Sequence, residues 1–168
     1  TFFASAITGV VNAVYNQANM VLIVLDNSTT AMTGHQPHPG MGITVMGDVT
    51  QAVDIEKILR AMGAEFVRTA NPFDYETAVA VIKEASDKKG FRSVIFKAPC
   101  AAIVKSKKSL FVKKNDCIGC LKCIRELGCP ALSVKDGKAM IDRDLCVGCG
   151  LCSRICPKKC IGEEAIDE

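Results

Sequence analysis

Three stretches in the first hundred residues carry apolar side chains at helical spacing. Ile7, Val10, Val11 and Val14 fall at i, i+3, i+4 and i+7; Ile55, Ile58, Leu59 and Met62 do the same, as do Ala78, Val81, Ile82 and Ala85. A stripe of that period covers one side of a helix, so three amphipathic helices are expected. Between and after them lie residues 20–25, 64–68 and 93–97, short runs rich in β-branched side chains that read as strands covered on both faces. Gly63 and Gly90 stand where helix C-caps belong, and Asp74, two residues after Pro72, is a candidate N-cap. Helices alternating with doubly covered strands predict an open parallel α/β sheet, which binds ligands at the carboxyl ends of its strands.

Beyond residue 105 the pattern changes from apolar periodicity to cysteines. Eight of the ten cysteines form two blocks, Cys117-x2-Cys120-x2-Cys123-x5-Cys129-Pro130 and Cys146-x2-Cys149-x2-Cys152-x3-Cys156-Pro157. A cysteine at every third position lets a loop wrap three thiolates round one [4Fe–4S] cube, while the fourth, beside proline, serves the other cube. Cluster I is therefore assigned Cys117, Cys120, Cys123 and Cys156, and cluster II Cys146, Cys149, Cys152 and Cys129. The blocks are an internal repeat at an offset of 29 residues, with Ile118-Gly119 echoed by Val147-Gly148. The glycines suit a backbone that must bring its N–H groups close to sulfur. In the first block five residues, not the usual three, separate Cys123 from Cys129, and the added Leu127-Gly128 turn is expected to carry Cys129 across.

Other uses of cysteine fit less well. A disulfide framework belongs to small secreted chains, and no charged stretch followed by an apolar one stands at Thr1. Zinc ribbons use two CxxC pairs per metal, which leaves the third cysteine and the Cys-Pro of each block without a purpose. The segment thus reads as a small α+β two-cluster ferredoxin-like domain that moves electrons. Thiolates holding oxygen-sensitive clusters fit a reducing cytoplasm with little oxygen. A length of 168 residues accommodates a domain of about 100 residues plus a cluster module of about 60. The lysine-rich stretch containing Lys105, Lys107, Lys108, Lys113 and Lys114 reads as a solvated linker, with steering of an acidic ferredoxin as the alternative. The domains are accordingly 1–105 and 106–168. A net charge of +3 and 5% aromatic content without tryptophan argue against nucleic acid. The aliphatic run 20–25 is far short of the roughly 20 residues that cross a membrane.

The first strand leaves the sheet through residues 27–40, Asn-Ser-Thr-Thr-Ala-Met-Thr-Gly-His-Gln-Pro-His-Pro-Gly. So many small hydroxyls, amides, Gly and Pro suit either an ordinary surface loop or a ligand loop at the strand ends. Oxygen donors such as Asn27 match the octahedral oxygen shell of Mg²⁺ shared with a phosphate.

The N-terminal helix from Thr1 to Ala13, the stretch from Leu25 to Gly40 and the double cysteine motif together resemble the indolepyruvate ferredoxin oxidoreductase alpha subunits, within the 2-oxoacid:ferredoxin oxidoreductase family. The resemblance implies that residues 1–105 are the C-terminal part of a thiamine diphosphate-binding domain. It implies that Asn27 and Thr29 ligate Mg²⁺, Asn27 through its side chain and Thr29 through its carbonyl, and that Thr33, Gly34 and His35 lie beside the cofactor. It also implies a second (beta) subunit, a 2-oxoacid and coenzyme A as substrates, and an external ferredoxin as acceptor. The reaction would be oxidative decarboxylation of an aryl pyruvate such as indolepyruvate to an arylacetyl-CoA and CO₂. The family places a Gly-Asp pair, its Asp a further Mg²⁺ ligand, just upstream of the point where this sequence begins, and a pyrimidine-binding domain elsewhere. The expectation is therefore a C-terminal piece of a longer subunit, inactive by itself.

Some residues have plainer readings. His35 and His38 suit either the cofactor diphosphate or a structural turn; Cys100 reads as a buried small hydrophobe rather than a ligand, and Cys160, four residues after Cys156, as a spare thiol, with swapping in as a ligand the alternative. The competing function is a non-catalytic electron-transfer ferredoxin whose α/β half only docks, and a Mg²⁺-diphosphate loop at residues 27–40 is what separates the two.

Overall fold

In the computed structural model, which describes residues 2–104 and 108–165, the chain divides into two units, Thr1–Cys100 and Ala101–Glu168. Lys105 and Lys107 of the expected linker lie outside the described residues.

In the first unit a π-helical turn, Phe2–Ala6, runs into α1 (Ile7–Tyr15), followed by β1 (Met20–Asp26), α2 (Ile55–Ala61), β2 (Phe66–Ala70), α3 (Tyr75–Asp87) and β3 (Phe91–Lys97). The strands form one parallel sheet in the order β1-β3-β2. The helix signals act locally as their chemistry requires. Asp54 accepts a hydrogen bond from the Lys57 N–H at 3.1 Å and caps α2, and Asp74 does the same for α3 with Thr77. Past the end of α2, Gly63 takes φ +101°, so its own N–H reaches Arg60 O and the Ala64 N–H reaches Leu59 O, both at 3.0 Å. Those two bonds satisfy carbonyls the helix leaves open, and the left-handed conformation they need is one that glycine adopts without penalty.

Alternation along β3 then separates two layers. Phe91 and Ile95, with Leu22 and Val24 of β1 and Val67 of β2, pack against Val10 of α1 and Ile55 and Leu59 of α2. Val94, with Phe66, packs on the other side against Ala85 and Val81 of α3. The central strand β3 is buried from Phe91 to Ile95, as a doubly covered strand should be. β1 is not: Ile23 and Leu25 are 46% and 76% exposed. The reason is its edge position, since among the described elements α3 lies over β2 and β3. Several boundaries differ from the sequence reading. β2 begins at Phe66 because Ala64 belongs to the turn that ends α2, and β3 reaches back to Phe91. Gly90 is no helix cap: α3 ends at Asp87, Lys88 is extended, and Gly90 (φ +80°) instead turns the chain into β3.

The second unit is α+β. β4 (Lys108–Val112) pairs antiparallel with β7 (Ile161–Ala165), and β5 (Leu132–Lys135) with β6 (Lys138–Ile141) through a tight Asp136-Gly137 turn. Two short helices, α4 (Lys122–Leu127) and α5 (Leu151–Ile155), follow the cysteine loops. The repeat seen in the sequence recurs in the backbone at the same offset: Gly119 and Gly148 share positive φ, as do Leu121 and Gly150, the residues before each helix. The core joins Leu110, Leu132, Ala139, Ile155 and Ile161 to four buried cysteines. Lys108, read as linker from the sequence, is the first residue of β4 and pairs with Glu163 at 2.7 Å.

Candidate metal centres and cofactor loop

Two cavities of the second unit are lined by thiols, and the sorting follows neither block. The first cavity has Cys117, Cys120 and Cys123 of the first block together with Cys156 of the second, and also Cys160. The second has Cys146, Cys149 and Cys152 together with Cys129. The local backbone explains the exchange. α4 ends at Gly128 in the left-handed conformation, with its N–H on Ile124 O at 3.1 Å, which redirects the chain so that Cys129 leaves its own block. After α5, Cys156 is extended and heads away likewise. In the first loop the Gly119 N–H donates to the Cys117 sulfur and holds that thiol below its ordinary pKa. A Cβ at Gly119 would stand 2.6 Å from Gly137 O, so only glycine permits this approach of loop and hairpin.

Electrostatics divide the thiols by depth. Burial pushes Cys152 up to about 12, and it raises Cys123 as well. At Cys156 burial acts in the same direction, but the N–H groups of Cys160, Lys158 and Lys159 and the Cys160 thiol outweigh it and lower the pKa. Backbone N–H groups aimed at a sulfur are what a thiolate ligand needs. Among the described residues no three Cys, His, Asp or Glu side chains converge as a single ion would require. The thiols stand instead around the walls of a cavity, an arrangement suited to a polynuclear cluster whose ligands each take a different corner.

The other candidate site begins where β1 ends. Ladder pairing continues past the strand: Asp26 O accepts from the Ala98 N–H and Asn27 O from the Cys100 N–H, at 3.1 and 3.0 Å. Asp26 Oδ1 accepts from the Ser28 N–H at 3.0 Å, and its other oxygen lies 3.5 Å from Lys97 Nζ. Asn27 Oδ1 accepts from the Thr29 N–H at 3.3 Å, an Asx turn that leaves one lone pair for a further donor or a cation. Thr29 is 5% exposed and its Oγ1 has no hydrogen-bond partner among the described residues. A buried hydroxyl is rarely left so. Oxygen donors of this kind at a strand's carboxyl end fit a hard cation and its phosphate.

Thr33, Gly34 and His35 lie farther along, exposed, on a 3-10 turn (Ala31–Thr33) closed by the Thr30–Gln36 bridge. Thr33 Oγ1 donates to Gln36 Oε1 at 2.5 Å, and His35 has φ +62°. No direct hydrogen bond joins this turn to Asn27 or Thr29 among the described residues; the link is the backbone of Thr30. His38 Nδ1 accepts from the Gly40 N–H at 3.1 Å, and its ring stacks on Phe3. Cys100 is half-buried. The sequence reading missed Asp26 and Lys97, which the parallel register places side by side; it noted Cys160 four residues after Cys156, and the structure adds that their sulfurs lie 3.4 Å apart.

Residues 1–96 match the family described as thiamine pyrophosphate enzyme, C-terminal TPP binding domain, and residues 139–162 match the 4Fe-4S binding domain. The chain is similar to the indolepyruvate oxidoreductase subunit IorA of Archaeoglobus fulgidus, 42% identical over 167 residues that cover 96% of this chain and 27% of the relative. The subunit of that name from Methanothermobacter thermautotrophicus is 42% identical over 98% of this chain and 27% of its own length, and that of Pyrococcus horikoshii 37% over 94% and 26%. The chain thus spans about a quarter of the length of these curated relatives.

Proposed function

Because this chain belongs to the thiamine pyrophosphate enzymes, sharing their C-terminal TPP binding domain over residues 1–96, we propose that it is the electron-delivering end of a thiamine diphosphate-dependent 2-oxoacid:ferredoxin oxidoreductase subunit. The substrate class is an aryl pyruvate such as indolepyruvate, converted with coenzyme A to an arylacetyl-CoA and CO₂. Two [4Fe–4S] clusters, when bound, would supply one-electron carriers between the cofactor and a ferredoxin. The observation that carries this reading is the similarity to IorA over 167 residues that cover 96% of this chain, and so both units.

Thiamine diphosphate, when bound, supplies the electron sink that lets a 2-oxoacid lose CO₂. This chain's residues anchor it. Asn27 Oδ1 and the Thr29 carbonyl offer Mg²⁺ two oxygens, and the loop carrying Thr33, Gly34 and His35 flanks the cofactor. The Thr29 hydroxyl, buried and without a partner, supports a polar ligand at this end of β1. Cys117, Cys120, Cys123 and Cys156 hold cluster I; Cys146, Cys149, Cys152 and Cys129 hold cluster II. A beta subunit completes the assembly, and the boundary between cofactor domain and cluster domain falls near residue 105.

The test uses the full-length subunit assembled with its partner. Asn27→Ala should abolish indolepyruvate- and coenzyme A-dependent reduction of a viologen dye while iron content and chemical reducibility of the clusters stay intact. Normal turnover by that variant would favour the electron carrier with a passive docking domain.

A further inference from the structure

The cysteine blocks repeat, so positions flanking the first cavity (cavity I) have counterparts flanking the second (cavity II), and their charges can be compared. Lys113 and Lys114 precede Cys117, whereas Asp142 and Arg143 stand at the same places before Cys146. After the Cys-Pro of each block, Pro157 is followed by Lys158 and Lys159, but Pro130 by the buried Ala131 and Leu132. Lys113, Lys114, Lys158 and Lys159 are all exposed, and none has a carboxylate partner among the described residues. They gather round one opening. Lys158 lines cavity I itself, and the Lys113 N–H donates to Cys160 O of the same wall at 2.8 Å. Lys138, next to Ala139 of that wall, reaches Lys114 O with its Nζ at 2.6 Å and adds a fifth positive charge. The exposed Asp116 and Asp136 offset part of it. Ile118, also in the lining, is 61% exposed. The described lining of cavity II contains no charged residue.

Resting on the reading that this module delivers electrons to a ferredoxin, we propose that the mouth of cavity I, and not that of cavity II, is the docking surface for an acidic electron-carrier protein. Lysines without ion-pair partners around an exposed apolar side chain have the anatomy of a transient interface. The charges steer an acidic partner and fix its orientation, and the contact at Ile118 seats it. A partner so held stands next to the thiols of Cys117, Cys120, Cys123 and Cys156 rather than the other set. The repeat supplies the internal control, because the same fold element without the lysines frames cavity II.

The experiment takes the full-length subunit, assembled with its partner and loaded with iron, and titrates it with a two-cluster ferredoxin of strongly negative net charge. Calorimetry at low and high salt gives the affinity, and the same samples are assayed for iron and for substrate-dependent reduction of methyl viologen. Wild-type protein should bind at low salt and weaken as salt rises. Lys113→Glu with Lys158→Glu should weaken binding about tenfold and flatten the salt dependence, with iron and viologen reduction unchanged. Lys113→Gln with Lys158→Gln should give a smaller loss in the same direction, which keeps the test open should charge reversal disturb the module. Arg143→Glu, at the counterpart of Lys114, should bind within about twofold of wild type. The assignment is overturned if the lysine variants bind as wild type does, if wild type shows no salt-sensitive binding, or if Arg143→Glu does equal damage. A wild type that binds the ferredoxin yet reduces no viologen with indolepyruvate and coenzyme A overturns the oxidoreductase reading instead, since the titration needs no turnover.

Discussion

Thr29 allows the cofactor loop to be interrogated without touching the sheet. Its hydroxyl is buried and unpartnered, so in the bare chain it carries the cost of lost hydration with no compensating bond. Thr29→Val keeps the shape and removes that cost. The apo protein should melt at the same temperature or slightly higher, and the rise in melting temperature on adding thiamine diphosphate with Mg²⁺ should shrink; a loss of more than about 1 kcal/mol in the apo protein would mean the hydroxyl already has a partner. At this scale the cysteine blocks were legible, because cluster ligation is written into local spacing. The spacing also marked Cys160, four residues after Cys156, as a spare thiol or an alternative ligand; the direct contact of the two sulfurs was not legible, because it depends on a left-handed Lys159 and on pairing to Lys113. Asp26 and Lys97 were hidden for a similar reason: 71 positions separate them, and only the parallel register makes them neighbours.

Elements were readable wherever a single period governed them. Three helical stripes gave three helices, and Asp54 and Asp74 cap two of them through their own side chains. What failed were inferences that needed to know what lies over an element: β1 has the composition of a doubly covered strand, yet its Ile23 and Leu25 face outward. The cysteine loop and the β5–β6 hairpin offer a test at this scale, since Gly119 (φ +69°) abuts Gly137 O. Gly119→Ala should destabilise by more than about 1 kcal/mol from backbone conformation alone, with displacement of the hairpin adding to it. The measurement is chemical denaturation of the cluster-loaded protein alongside iron retention. Gly119→Ala with wild-type stability and iron would show that the loop and hairpin separate when clusters bind.

At the scale of the whole molecule the two units rest on different foundations. The first has a two-layered apolar core around β3, including the fully buried Leu59, Val67 and Val94. The second spends four of its buried positions on cysteine, so its folding should depend on the metal that those thiols bind. Acid with a chelator should collapse amide hydrogen-exchange protection across residues 108–165 and leave that of β1, β2 and β3; equal protection before and after cluster removal would contradict this dependence. The division of labour was visible as a change of pattern near residue 105, although the compact units part after Cys100. The gap arises because the strand pairing of β3 carries on to Cys100 by hydrogen bonds that no composition change announces.

The trade of Cys129 for Cys156 between the cavities has a consequence for how this module can be cut, copied or reshaped. A duplicated sequence ordinarily invites halving, each copy surviving as a smaller version of the pair. Here each copy has lent a thiol to its sibling. A chain ending before Cys146 would leave cavity I with the three thiols of its own block and Cys129 facing nothing, so the ancestral halves, once hooked together, are no longer separable parts.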